Sequence, residues 1–264
     1  MTPIAAAAFC PSMRRLSSSW CYVKDSFFKE FETLEKRGEL SESGSGEMIW
    51  DTGNKFVLKI ALDDGSSVVY KSFRNVVKPA KFVLRPSPCG FEAHNYSLIG
   101  ALGIPVPELL AAGDTRKNFI LEKAFLITRF AEGFFNGRQL LKGELFQERS
   151  DLMEELLRRN MPLLARCHDG GIIHRGFTLA NLMWKELPQP DSKGNKLELL
   201  WIDFGSCRRR PLLLLNSLCH LDLALLFKHP DLSKEQKAEL IELYCASRKK
   251  LPPRASVVKK RLLS

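Results

Sequence analysis

Apolar residues at helical spacing open the patterned part of the chain. Phe27, Phe28, Phe31 and Leu34 fall on one side of a helix predicted over 25–37, and Ser41 to Gly46 breaks the pattern. From there the period changes to two. Runs at about Glu47–Trp50, Lys55–Leu62 and Ser66–Phe73 predict three short strands, with Asp51-Thr52-Gly53-Asn54 turning between the first pair and Asp64-Gly65 between the second. A helix predicted over 90–102 is ended by Gly103 and the rigid Ile104-Pro105-Val106-Pro107 segment. Ala124–Phe130 reads as a buried strand, broken at Glu132-Gly133, and a long helix follows over about 149–167, up to the Gly170-Gly171 turn. Beyond residue 205 the pattern is helical, with Pro230 and Pro252-Pro253 as stops. The Leu-rich stretch Pro211–Phe227 is interrupted by Asn216, His220 and Asp222, which suits a buried helix better than a membrane span.

The resulting plan is an α+β chain with a strand-rich first part, one connecting strand and a helix-rich second part, hinged near Arg129–Gly133. Its expected divisions are a flexible N-terminal arm (1–24), a strand lobe (25–130), a helical lobe (131–247) and a basic C-terminal tail (248–264). The short apolar run Ala5–Phe9 before Cys10 has no Lys or Arg ahead of it, so the arm does not read as a signal peptide.

Composition narrows the setting. Seven cysteines form no C-x-x-C pair, which argues against zinc sites and a secreted disulfide framework and suits a reducing cytosol. A formal charge of +10 favours anionic partners, and its late clusters are Arg208-Arg209-Arg210 and Arg248 to Arg261. Peripheral contact with an anionic membrane and a merely solvated tail fit these clusters equally well. Nucleic acid ranks below both, because no recognition motif or aromatic platform accompanies the charge.

The chemistry concentrates between His174 and Gly205. His174-Arg175-Gly176-Phe177-Thr178-Leu179-Ala180-Asn181 precedes an apolar strand, Leu199 to Ile202, that ends in Asp203-Phe204-Gly205. Phosphoryl transfer needs an amide oxygen and a carboxylate converging on magnesium, and kinases draw them from H-R-D-x-x-x-x-N and D-F-G; here they are Asn181 and Asp203. Upstream, Lys71 in Val-Val-Tyr-Lys stands where a phosphate-binding lysine is placed, with Glu92 as its partner; either one alone would read as a surface charge. Gly53 would bring backbone N–H groups to the phosphates, an ordinary hairpin turn being nearly as good a reading, and Gly44 and Gly46 are the substitutes. Arg129 and Phe130, at the hinge, are placed with the nucleotide-binding residues. His174 is expected to anchor the loop by hydrogen bonds, and Asp222 to tie the loop backbone from the next helix.

These residues resemble the bacterial lipopolysaccharide core kinases, the Kdo and heptose kinase family. The likeness rests on Leu164 to Arg175, Asn181-Leu182-Met183, Asp203-Phe204-Gly205 and Asp222-Leu223-Ala224, with Val69 to Phe73, Glu92 and Gly103 to Pro107 upstream, and covers about 47–227. It implies a protein-kinase-like two-lobed fold, ATP and Mg2+ as cofactors, and a sugar hydroxyl of the lipopolysaccharide inner core as acceptor, met at the cytoplasmic face of the inner membrane. The family carries Asp where this chain has Gly176, and Thr178 cannot replace it as a base at neutral pH. A pseudokinase with a regulatory or scaffolding role, or a kinase for another acceptor, therefore stands beside the sugar-kinase reading.

Overall fold

The structure, a computed structural model, describes residues 14–16, 19–73, 82–83, 85–141, 150–192, 194–228 and 232–263. Two compact units divide the chain, the first formed by 1–97 and 107–132 and the second by 98–106 and 133–264.

The first unit is built on an antiparallel sheet. Its described strands are β1 (Arg14–Leu16), β2 (Ser19–Val23), β3 (Glu47–Asp51), β4 (Lys55–Ala61), β5 (Ser67–Phe73), β6 (Leu109–Lys117) and β7 (Ile120–Arg129), in the order β1-β2-β6-β7-β5-β4-β3. Period-two patterning sets the buried face: Phe56, Leu58 and Ile60 of β4 join Val68 and Tyr70 of β5 in one core with Phe31 and Leu34 of α1 (Phe28–Lys36). The Tyr70 hydroxyl finds its partner in the Leu40 carbonyl at 3.0 Å, and the Phe31 and Phe125 rings stack at 5.9 Å.

Two departures from the sequence reading lie in this sheet. Residues 19–23, expected within a flexible arm, form β2, whose Trp20 faces Asp114 across β6 and donates its indole N–H to that carboxylate at 2.6 Å. Residues 1–13, also assigned to the arm, lie outside the described residues, as does Pro230. The second departure is β6, which no strand pattern announces. Ala111, Ala112 and Gly113 are small rather than alternating because neighbours press close, and a Cβ on Gly113 would meet the Phe125 ring at 2.7 Å and the Trp20 carbonyl at 2.8 Å. The buried Asp114 that follows is neutralised by Arg116 at 2.9 Å.

The second unit is mainly helical. Helix α2 (Pro88–Ala101) starts in the first unit and passes into the second at Leu98. The other helices are α3 (Ser150–Asp169), α4 (Leu212–Phe227), α5 (Lys234–Ser247) and α6 (Ala255–Leu263). Leu156, Leu157, Met161, Leu164 and Ala165 of α3 are buried, the apolar stripe that its period foretells. Short strands carry the loops: β8 (Phe135–Asn136), β9 (Ile172–Ile173), β10 (Leu182–Glu186), β11 (Leu197–Trp201) and β12 (Arg208–Arg209), with β10 between β8 and β11 and β12 pairing with β9. The Leu-rich helix α4 buries Leu215, Cys219, Leu223 and Leu226 but leaves Leu213 and Leu214 in solvent, so it is buried on one side only. Nor is the basic segment after residue 247 a solvated tail throughout. Arg248 is buried against Asp169, and α6 packs its Val258 inward.

Candidate active site

In the first unit, strand geometry decides where Lys71 points. Val68, Tyr70 and Ser72 of β5 are buried on one face, so Lys71 emerges on the other, opposite Val57 and Leu126 of the flanking strands. There its ammonium donates to both carboxylate oxygens of Glu92, at 2.9 and 2.7 Å, with side-chain exposures of 11% and 2%. Cys89, one turn earlier on α2, is buried beside the pair, and burial first and the Glu92 charge second push its thiol well above the usual range.

The other nucleotide-binding candidates of this unit take different parts. Gly53 is left-handed, as the turn demands, but its N–H is bonded to the Asp51 side chain at 2.7 Å, and a Cβ there would meet nothing. This is the geometry of an exposed hairpin turn. Gly44 and Gly46, by contrast, are closed in, since a Cβ would meet the Glu39 carbonyl at 2.6 Å and the Ile60 side chain at 3.0 Å. The N–H groups of Arg129 and Phe130 both serve the sheet, bonding Glu108 and Ser67 carbonyls at 2.9 and 3.0 Å, so neither can donate to a base.

In the second unit, the loop from His174 to Asn181 hangs on Asp222. One carboxylate oxygen accepts the His174 N–H at 2.8 Å and the other the Arg175 N–H at 2.7 Å, which steadies Arg175 in a left-handed conformation at φ 60°. His168 Nε2 reaches the same carboxylate at 3.1 Å, while its Nδ1 lies 2.6 Å from the Tyr244 hydroxyl, itself an acceptor from Arg248 at 2.8 Å. The Asp222 carboxylate can only accept, so Nε2–H donates to it, and the Tyr244 hydroxyl donates to Nδ1. Burial alone would raise the Asp222 carboxyl, but the hydrogen bonds it accepts from His168 and from the His174 N–H outweigh it and hold the group below the usual range.

His174 anchors the loop differently from expectation. Its ring nitrogens make no hydrogen bond among the described residues; the ring is fully buried between Phe177, Trp201 and Phe204, with centroids 5.5 to 5.8 Å away. Burial pushes the imidazole below its ordinary pKa despite the opposing pull of Asp222 and Asp203. The backbone N–H does the anchoring and the neutral ring fills an aromatic box.

Asn181 and Asp203 sit on connected backbone, because the Ile202 N–H donates to the Asn181 carbonyl at 3.1 Å. The Asn181 side-chain NH2 donates to the Gly176 carbonyl at 2.8 Å, leaving its oxygen for a cation. Asp203 has φ 62° and ψ 68°, the left-handed conformation that a non-glycine residue adopts at a cost. At Gly176 itself a Cβ would meet the Ser206 hydroxyl oxygen at 2.9 Å. That hydroxyl donates to the His174 carbonyl at 2.9 Å. The sequence reading had no signal for Ser206, nor for Tyr244 and Arg248, which enter the loop's support only through the fold.

No family model matches the chain, and no curated protein matches it by sequence. Solved structures do. WaaP in complex with acyl carrier protein superposes with a TM-score of 0.61 at 14% identity, covering 92% of this chain and 99% of that one. The amicoumacin kinase hAmiN in complex with AMP-PNP, Ca2+ and amicoumacin superposes with a TM-score of 0.53 at 11% identity, covering 85% and 79%. The antiparallel sheet, the helical unit and these likenesses together identify the fold of this chain as protein-kinase-like.

Proposed function

We propose that this protein is an ATP-dependent phosphotransferase that moves the γ-phosphate of ATP to a sugar hydroxyl of the lipopolysaccharide inner core. The observation that carries the reading is the enclosed Lys71–Glu92 pair. A buried ion pair is no better for stability than a well-packed apolar pair, so its place on β5 is best explained by work on an anion. Lys71, held by Glu92, would bind phosphate oxygens.

Asn181 and Asp203 fit magnesium, supplying an amide and a carboxylate oxygen, both hard donors. Among the described residues no group of three or more His, Cys, Asp or Glu side chains converges. When bound, magnesium supplies charge neutralisation on the transferring group. The chain's own part is to hold the loop rigid through Asp222 and to present Asn181 and Asp203 in fixed conformations. Positioning of this kind carries most of the catalysis of phosphoryl transfer. A sugar acceptor is supported by the resemblance of the motifs within 164–224 to core kinases. Such an acceptor is met at the cytoplasmic face of the inner membrane, where the basic clusters would be attracted to anionic lipid.

Gly176 favours a second reading. With no carboxylate there and the Ser206 hydroxyl against the vacant position, a nucleotide-binding pseudokinase retains the same support for the loop. Radiolabelled Mg-ATP with purified core oligosaccharide separates the two: phosphate transfer supports the kinase, and nucleotide binding without transfer to any acceptor supports the pseudokinase.

A further inference from the structure

Helix α4 exposes an apolar face whose sequence neighbourhood holds cations and no acids. Leu213, Leu214 and Leu221 are 79%, 54% and 42% exposed. At 3.6 residues per turn they fall within about one quadrant of the helix, together with exposed Ser217 and Ala224. Arg209 and Arg210, directly before the helix, are exposed and make no ion pair among the described residues. Beside the same face, Arg261 of α6 donates to the Ser217 carbonyl at 3.3 Å. Residues 204–221 hold three Arg and no Asp or Glu, and residues 248–264 hold seven Lys and Arg and no Asp or Glu. Exposed leucines set singly on a surface need no explanation, but leucines sharing one arc beneath a cationic rim do.

We propose that this face of α4 docks on an anionic phospholipid bilayer, Leu213 and Leu214 entering the headgroup boundary while Arg209, Arg210 and Arg261 engage lipid phosphates. Charge complementarity selects the occupant. A second copy docked by its own α4 face would bring two patches of the same positive charge together, with no Asp or Glu in 204–221 of either to pair with them. Among the described residues no helix is long and apolar enough to cross a membrane, so the face lies on the bilayer rather than entering it as a span. The docking end is also tied to the catalytic loop: Arg208 pairs with Ile173 across β12 and β9, and the Arg210 N–H donates to the Gly171 carbonyl at 2.8 Å. A membrane-borne hydroxyl would thus be met close to Gly176; that use rests on the kinase reading above, whereas the binding needs no nucleotide.

The test is vesicle flotation of the full chain without ATP, on phosphatidylcholine alone and on phosphatidylcholine containing phosphatidylglycerol. Binding is expected only to the anionic vesicles and should weaken as the Debye length falls from about 10 Å at 0.1 M salt to about 3 Å at 1 M. Leu213→Ser with Leu214→Ser, and separately Arg209→Ala with Arg210→Ala, should each lower partitioning on the order of tenfold. Phe119→Ser, an exposed apolar change in the first unit, should leave it unchanged. Melting curves confirm that these surface variants stay folded. The proposal is overturned by absence of binding to anionic vesicles, by leucine variants that partition like the wild type, or by binding to an acidic protein in place of vesicles. Thermal shift by Mg-ATP, measured on the same samples, reports the nucleotide site independently.

Discussion

The Ser206 hydroxyl oxygen lies 2.9 Å from where a Cβ on Gly176 would stand. The position lacking a carboxylate is thus occupied by a neighbour's side chain, and that hydroxyl is held in place by the His174 carbonyl. Gly176 does not have positive φ, so its backbone admits other residues, and the tightest neighbour of a Cβ is Ser206, ahead of His174 Nδ1 at 3.5 Å and Asn181 Nδ2 at 3.6 Å. Gly176→Asp should therefore gain little phosphate transfer, whereas Gly176→Asp with Ser206→Gly should recover an appreciable part of the ~10² to 10⁴ typical of a general base. The measurement is core-sugar phosphorylation beside Mg-ATP binding. A folded, ATP-binding double variant with no transfer would count against the active-kinase reading.

Removing Lys71 takes from the buried Glu92 carboxylate the cation that it holds at 2.7 and 2.9 Å. Lys71→Ala should cost about 3–5 kcal/mol of stability and abolish the thermal shift by Mg-ATP. Lys71→Met with Glu92→Leu should restore most of that stability and still fail to bind nucleotide. If the double variant binds Mg-ATP as the wild type does, the pair is structural and its assignment to phosphate is wrong.

His174 sets a pH dependence. Its folded pKa is depressed, so between that value and the ordinary value of about 6.5 the unfolded chain binds more protons than the folded one, and stability rises with pH. The stability is fully present above about 6.5 and declines as acid is added, by at most about 1.4 kcal/mol per pH unit. His174→Phe keeps an aromatic ring in the box and should flatten the slope of melting temperature between pH 7 and pH 5. An unchanged slope would show that other groups set it.

Asp222→Asn exchanges a carboxylate that takes two backbone N–H groups and the His168 ring for an amide that can satisfy fewer of them. Phosphate transfer should fall by one to two orders of magnitude, about 1.4–2.7 kcal/mol of transition-state stabilisation, with the affinity for Mg-ATP little altered because no nucleotide contact is removed. Equal losses in both measurements would mean that Asp222 supports the fold as a whole rather than the loop.

What the sequence disclosed followed the reach of each physical signal. Local periodicity announced α1, β3 to β5 and α3 within a few residues, because amphipathic patterning is written in neighbouring positions. The Lys71–Glu92 contact and the Asp222 tie were readable because motif order fixes which residues such a fold brings together. Strands β2 and β6 were not readable: Trp20 and Asp114 find each other across 94 positions, and Gly113 is a glycine for the sake of a ring that no local pattern reveals. The role of His174 was hidden for a similar reason, since a histidine looks like a hydrogen-bonding residue until Phe177, Trp201 and Phe204 are seen around it.

Arg248 gives the last part of the chain a duty in folding. Its guanidinium donates to Asp169 at 2.7 Å and to Tyr244 at 2.8 Å, and the N–H groups of Lys249 and Lys250 close on the same Asp169 carboxylate at 2.7 and 3.1 Å. Cutting the chain before Arg248 would strip Asp169 of its cation and leave the Tyr244–His168–Asp222 relay open at one end. The C-terminal segment thus closes the far end of the hydrogen-bond chain behind the His174–Asn181 loop, and a protein clipped there by a protease would lose that support along with the cations of 248–264.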